Sequence, residues 1–508
     1  MYLVINLGLK SIRGIVFDRL GLQIYSKAFP VHTLLFDKLV EQDANEWLVL
    51  LDKIMLKIKA HTNLSKQILF VTVTTSSSCI LGVDLRGNAL TKVLMVSDKR
   101  SSGEVEQICS DNYYQSLDNK PVCNTSSTVP KVIWFKNNDL ELFDRVKYWL
   151  GAGEYLNYFF TDNFFTDSLN AGKCFFNGIS YEPDLLKSLG INFQIFPEVK
   201  EIGYTMPVNN KVIAKYNLNS NVQFILTTYD AICAVIGSSD GKKTTASDVS
   251  GTITSVRILA DNPPQRNVIT NSTLLTQPIN EINKILVGSS NNLGGGIIEW
   301  YKQAFFNNNK NDVYSQMEYQ ASCSNVGAGG IIFLPYLLGE RAPFVDVDAK
   351  GTFFGVSRRS TQHDFTRAVF ESTAYVTRDL LDSLRNNYFQ IEALTVSGGL
   401  ARVELINQIK ADVCNLPVHV LDNFESTSLG AFILMALFSK EFATYEEACK
   451  NTIKVRKVIM PNHVNNQYYE KSFQLFKELS QQLIPLHKAH NILNNTKPKM
   501  EAESLQNL

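Results

Sequence analysis

The sequence predicts an α/β protein built as two similar halves, and three observations carry that reading. A chain of 508 residues exceeds what one ordinary core can bury, so two or more domains are expected. Short β-branched runs such as 68–74 (ILFVTVT) and 224–228 lead into polar loops and then into helical patterns. A theme of strand, glycine turn and strand at 2–18 returns at 248–259, although the two stretches share too little identity to count as a sequence repeat.

In order, residues 2–7 and 13–18 read as two strands joined by Gly8-Leu9-Lys10-Ser11, a turn able to aim backbone N–H groups at an anion. EQDANEWL (41–48) opens a helix with Asp43 as its cap. The strand at 68–74 runs into Thr75-Ser76-Ser77-Ser78, a loop of the kind that carries ligand contacts. VSDKRSSGEVEQI (96–108) and STVPKVIWFKNN (127–138) are each a loop followed by a helical pattern. Residues 151–174 hold an aromatic-rich helix whose rings are expected in the core, with stacking on a sugar as the other reading. Asp230 stands between a strand end and a helix start, where an acid serves either as a cap or as a catalytic carboxylate.

Residues 238–247 (SSDGKKTTAS) are small and polar and mark the expected domain boundary. Beyond it come the second hairpin around Ser250-Gly251-Thr252, the glycine run at 294–296 before a helical pattern, and the strand 394–400 ending in Gly398-Gly399. The helix 404–414 presents Leu405, Ile406, Ile409 and Val413 on one face, 426–438 is a buried helix, and 463–485 is amphipathic. The stretch 335–378 moves from an apolar run through Gly339-Glu340-Arg341 and Gly351–Gly355 into a helix. There Phe365, Ala368, Val369, Thr373 and Val376 fall on one face, with Arg367, Glu371 and Arg378 between them. The expected division is 1–243, 244–485 and a flexible tail 486–508.

Composition excludes several classes. Lys+Arg and Asp+Glu both number 49, which argues against a nucleic-acid partner. No apolar run approaches a membrane span or a signal peptide, so no membrane partner is expected. The eight cysteines include no C-x-x-C pair, which suits reduced thiols in a cytoplasmic protein rather than a zinc or redox site.

The block GERAP…D…KG.F.G with RA..E behind it resembles the C-terminal signature of the FGGY carbohydrate kinases. NLGLKSIRGIVFD, EQDANEW, SDKRSSGEVEQI, PKVIWFK, EYLNYFFTDNFFTDSLNAG, YDAICAVIG, SGTIT, NNLGGGIIEW and SGGLA resemble that family's further motifs, in its order, over about residues 2–480. The resemblance implies two ribonuclease-H-like domains of the actin–hexokinase superfamily flanking a catalytic cleft. It implies MgATP and a small-molecule sugar as ligands, with a homodimer as one assembly, and transfer of the γ-phosphoryl group to a sugar hydroxyl. Asp230 matches the family's catalytic base. Gly8, Lys10, Ser11 and Arg13 match the first phosphate loop, Gly251 and Thr252 the second, Gly295 a glycine beside the phosphates, and Gly398, Gly399 and Leu400 the adenosine contacts. Ser77, Ser78, Asp98, Asp230, Asn291 and Asn292 are the implied sugar contacts.

The chain departs from the family at several of these places. Asn6 replaces the aspartate that reaches the metal through water, and Leu9 and Lys10 replace threonines. Tyr229 replaces a glycine, Lys350 an arginine, and Ser76-Ser77-Ser78 stands where a Met-His pair is usual. The leading reading is a kinase of a pentulose such as xylulose. A gluconate or autoinducer-2-type kinase is the alternative within the family, and a pseudokinase regulator or a polymerising actin-like ATPase the alternatives outside it.

Overall fold

The computed structural model describes residues 1–36, 38–263, 273–306 and 313–495. The chain forms two units. The first comprises Met1–Gly237 and Glu425–Thr452, and the second comprises Ser238–Phe424 and the chain from Ile453 onward.

In the first unit, Tyr2–Leu7 pairs antiparallel with Ser11–Phe17, which pairs antiparallel with Gln23–Pro30. On its other side Tyr2–Leu7 runs parallel to Phe70–Thr75, and that strand runs parallel to Gln223–Ile225. The second unit repeats the plan. Thr245–Ser250 pairs antiparallel with Thr254–Ala260, which pairs antiparallel with Lys284–Ser290. On its other side Thr245–Ser250 runs parallel to Ala393–Ser397, and that strand to Val418–Leu421. The echo between residues 2–18 and 248–259 is therefore one of architecture: three antiparallel strands continued by two parallel ones, twice. Local sequence explains the elements. Tyr2–Leu7 and Phe70–Thr75 are nearly continuous apolar or threonine runs because both faces of these central strands are covered. Ala44–Ala60 begins at Asp43, whose carboxylate accepts the Asn45 N–H at 2.9 Å. The aromatic helix Ala152–Thr161 buries Tyr155 and Phe160, so its rings belong to the core as expected.

Several expectations change. Compactness divides the chain at 237/238, at the start of the small polar stretch 238–247, rather than at 243/244. Residues 425–452, expected in the C-terminal half, belong to the first unit. Ser426–Phe438 is apolar on every side and must be covered all round. Phe432 lies against Tyr2 and Phe17, with ring centroids 5.2 and 5.1 Å apart. The expected tail is helical over Ile484–Asn495, where His487 is buried and Asn491 bonds Asp348 at 2.7 Å; the rest of it lies outside the described residues. Arg367 and Glu371, charged residues between the apolar positions of their helix, are buried as an ion pair at 2.8 Å that also bonds Tyr469. All eight cysteines are free, and among the described residues no helix is long and apolar enough to cross a membrane.

The crossing of Asp230–Ile236 with Ser426–Phe438 depends on two glycines. A Cβ on Gly430 would sit 1.8 Å from the Cys233 carbonyl oxygen, and one on Gly237 2.0 Å from that of Ser426. Gly430→Ala should therefore cost about 1–3 kcal/mol through forced separation of the helices. Gly172→Ala, in open space, should change stability little. Thermal denaturation of the two variants checks this, and equal midpoints would remove the packing argument.

Candidate active site

Asp230 is the first residue of the helix Asp230–Ile236, and the cap position itself is Tyr229. The Asp230 carboxylate accepts a hydrogen bond from Ser76 Oγ at 3.2 Å. Thr74 Oγ1 donates to the Thr228 carbonyl at 2.8 Å, so the end of one parallel strand is tied to the segment that carries Asp230. Ser76, Ser77 and Ser78 line a cavity with Asn170, Lys173 and Glu154, and an adjoining cavity is lined by Asp167, Asn157, Thr228 and Tyr229. Ser77 Oγ is buried without a hydrogen-bond partner, and Ser78 holds a left-handed backbone at φ 64°. That backbone is clipped from below. Lys131, fully buried, donates to the Ser78 carbonyl at 2.9 Å and to the Met95 carbonyl at 2.7 Å. Burial pulls its ammonium down to about 8.

The hairpin turn at Gly8 closes through Gly8 N–H to the Ser11 carbonyl at 3.0 Å. Lys10 is exposed, whereas Arg13 is ion-paired with Glu425 and bonded to Ser11 Oγ at 3.2 Å. Arg13, expected on a phosphate, is thus already charge-matched within its own unit. Asn6 is buried and donates through Nδ2 to Ser428 Oγ at 3.1 Å. The residues EQD, read as a helix start and as part of a motif resembling the family's, each do something different. Glu41 accepts from Arg100 at 2.7 Å and Asp43 caps the helix. Gln42 donates to the Leu9 carbonyl at 2.9 Å, while its own carbonyl accepts the Trp47 indole N–H at 2.9 Å. Gln42 and Trp47 therefore hold the tip of the first hairpin turn, a role that the motif's spacing alone does not announce.

Asp98, expected on the sugar, is fully buried. Its carboxylate is taken by Arg100, at 2.8 Å to Nη2, and by the Val40 N–H at 2.8 Å. It braces the loop and does not face the cavity lined by the serines.

In the second unit the residues expected around nucleotide come together. Gly294 and Gly295 N–H groups donate to the carbonyls of Thr252 and Gly251, both at 2.8 Å. A Cβ on Gly295 would lie 2.5 Å from the Gly251 oxygen and 3.6 Å from Leu400, and one on Gly398 2.6 Å from the Ser250 oxygen. Gly398 has φ 84°, which only glycine takes without strain. Gly251 and Gly399 have open space beside them, and Thr252 is exposed. Asn291 and Asn292, expected on the sugar, are engaged here instead. Asn291 accepts the Thr254 N–H at 2.8 Å and donates to the Leu293 carbonyl at 2.7 Å; Asn292 Nδ2 donates to the Leu338 carbonyl at 3.3 Å.

The GERAP block explains itself in the same place. Glu340 accepts the N–H groups of Arg341 at 2.8 Å and Asn292 at 3.0 Å. Arg341 donates to the carbonyls of Ser290 and Asn291, both at 3.0 Å. The pair clamps the segment that delivers the glycine run to Gly251–Thr252.

Burial pushes the carboxyls of Glu154 and Glu340 up to about 7. For Glu154, the stability gained from holding a proton is complete below the ordinary value near 4.5 and is lost as pH rises through about 7. Glu154→Gln should therefore flatten the fall in melting temperature between pH 5 and pH 8. The difference is on the order of 3 kcal/mol at the upper end. A variant whose pH profile parallels that of the wild type would remove Glu154 from this role.

Comparison with known proteins agrees over nearly the whole chain. The model of the FGGY family of carbohydrate kinases matches residues 1–237 with its N-terminal domain and 251–438 with its C-terminal domain. A xylulose kinase of Staphylococcus epidermidis is 28% identical over 492 residues, covering 94% of this chain and 96% of its own. A gluconokinase of Bacillus subtilis is 23% identical, covering 85% and 86%. The structure of ligand-bound xylulose kinase from Lactobacillus acidophilus matches with a TM-score of 0.83 at 22% identity, covering 95% of this chain and 98% of that one. Gluconate kinase from Lactobacillus acidophilus matches at 0.84 and 21%, covering 96% and 99%. With both domain models matched and the doubled strand plan in place, the chain belongs to the FGGY family of carbohydrate kinases, ATP-using sugar phosphotransferases with an actin-ATPase-like α/β fold.

Proposed function

We propose that the chain phosphorylates a pentulose such as xylulose, with Asp230 as the general base and Ser77 and Ser78 among the sugar contacts. The observation that carries the reading is the Ser76–Asp230 bond beside a cavity lined by three consecutive serines, in a chain 28% identical to a xylulose kinase over 94% of its length. Phosphoryl transfer needs a placed hydroxyl and neutralised phosphate charge more than covalent chemistry. A carboxylate held by Ser76 accepts the proton of the attacking hydroxyl as the bond to phosphorus forms. In the first unit Lys10 and the turn at Gly8 are phosphate contacts; in the second, the turn at Gly251–Thr252 is a phosphate contact and the Gly398–Leu400 segment receives the adenosine.

Mg²⁺ enters with the nucleotide as part of the MgATP substrate. Among the described residues no cluster of three His, Cys, Asp or Glu could cage it, and Asn6 offers only a neutral carbonyl oxygen beside its bond to Ser428. The free thiols suit a cytoplasmic location. One observation favours an aldonate as the alternative acceptor: Lys173 lines the serine cavity, where an ammonium would suit a carboxylate.

ADP release with MgATP and a panel of pentuloses, polyols and aldonates separates these readings. Turnover on a pentulose is expected. Turnover confined to aldonates would replace the substrate, and none on any sugar would favour a pseudokinase. Asp230→Asn should lower kcat by about 10²–10⁴ with ATP binding retained. More than about a tenth of wild-type turnover in that variant would take the base role from Asp230.

A further inference from the structure

Beneath the turn at Gly251–Thr252 lies a buried charged network that no part of the proposed transfer chemistry uses. Asp248 is fully buried in the strand Thr245–Ser250, and Lys410, 1% exposed, reaches it from the helix Glu404–Cys414. Asp248 Oδ2 also accepts from Thr377 Oγ1 at 2.9 Å, on the helix Gln362–Arg385. Its other oxygen accepts from Ser250 Oγ. Lys410 Nζ donates to Ser250 Oγ at 3.1 Å, and Ser250 Oγ lies 3.1 Å from Thr254 Oγ1. Ser250 and Thr254 are register partners, the last pair before the turn. The Ser250 hydroxyl is therefore saturated: it donates to Asp248 and accepts from Lys410 and Thr254.

We infer that the Asp248–Lys410 pair, acting through Ser250, is a positioning device for the nucleotide loop at Gly251–Thr252. The inference rests on the proposed nucleotide role of that loop. Stability alone does not account for the pair, since a buried ion pair is often no better than well-packed apolar residues of the same volume. What an apolar pair cannot do is fix the rotamer of Ser250 and the width of the turn base from two helices at once. The turn's other face is already set by Gly294, Gly295 and Gly398, so Ser250 completes the frame. Gly251 then keeps its open side for the phosphates.

Three variants test this, with dissociation constants for AMP-PNP measured by calorimetry, separate KM values for ATP and sugar, and melting temperatures. Ser250→Ala leaves the ion pair in place but cuts its link to the loop. It should weaken AMP-PNP binding and raise KM for ATP about 3- to 10-fold, with KM for the sugar within twofold. Asp248→Leu combined with Lys410→Met avoids a lone buried charge, so it should remain folded and show at least the same loss. Gly251→Ala introduces a methyl into space that the protein leaves open, and should weaken AMP-PNP binding at least tenfold at unchanged melting temperature. If Gly251→Ala impairs nucleotide binding while both other variants bind AMP-PNP as the wild type does, the positioning role is overturned and the loop reading stands. If Gly251→Ala binds AMP-PNP normally, the loop is not a nucleotide loop and the inference falls with it. A uniform fall in melting temperature, with nucleotide and sugar constants unchanged, also overturns it, because the network would then serve the fold alone.

Discussion

A turn that keeps its outer side open cannot be held by its own hydrogen bonds, so something else must hold it. Gly251–Thr252 spends its carbonyl oxygens inward, on the N–H groups of Gly294 and Gly295. Those glycines are delivered by a segment that Glu340 and Arg341 grip through backbone atoms only. The first hairpin turn has its own Gly8–Ser11 bond and is braced from outside as well: Gln42, itself held by Trp47, takes the Leu9 carbonyl, and Val31 N–H takes that of Lys10 at 3.1 Å. The motifs that make this sequence recognisable are in large part braces. They act on main-chain atoms, which is why their side chains are so specific while their contacts lie away from the open side of each turn.

Bracing by charge requires burying charge, and the fold does so repeatedly. Asp98 with Arg100 and Glu41, Arg367 with Glu371, Asp248 with Lys410, and the lone ammonium of Lys131 are all withdrawn from water. Each ion must recover a desolvation cost of several kcal/mol through its partners. Lys131 hydrogen-bonds two carbonyl oxygens and has the Asp98 charge nearby, yet burial outweighs them, and its lowered proton affinity is the visible remainder of that cost. Three of these four sets tie a loop or a strand end to an element distant in sequence.

The strand plan, the cap at Asp43 and the helices 404–414 and 426–438 were legible because each depends on local pattern, alternation or a cap residue, whereas the meeting of Gly251, Gly295 and Gly398 was implied only by the family resemblance. What escaped depends on the partner. Nothing in the spacing of Arg367 and Glu371 distinguishes an exposed i,i+4 pair from a buried one; Tyr469, about a hundred residues away, decides it. Asp98 is a ligand only by the family resemblance, and the placement of Arg100 and Val40 withdraws it. The return of 425–452 to the first unit was likewise invisible, since an all-apolar helix states that it is covered and never by what.

Asn6 brings these arguments together. Its place in the first strand is fixed by pairing to Arg13 on one side and Thr74 on the other. Its amide nitrogen is spent on Ser428, a residue that reaches the first unit only because that late helix returns there. A carboxylate in this position would have to accept from the Ser428 hydroxyl instead, and would bury a further negative charge in the unit that holds Asp230. An amide satisfies the serine with no charge to desolvate and leaves one carbonyl oxygen open. The change from acid to amide is thus fully compensated within the fold. Its consequence falls on the electrostatics of the proposed phosphate side, where Lys10 stands exposed at the tip of the same hairpin. Negative charge absent from the strand and positive charge present at the turn act in the same direction, and both favour an anionic ligand.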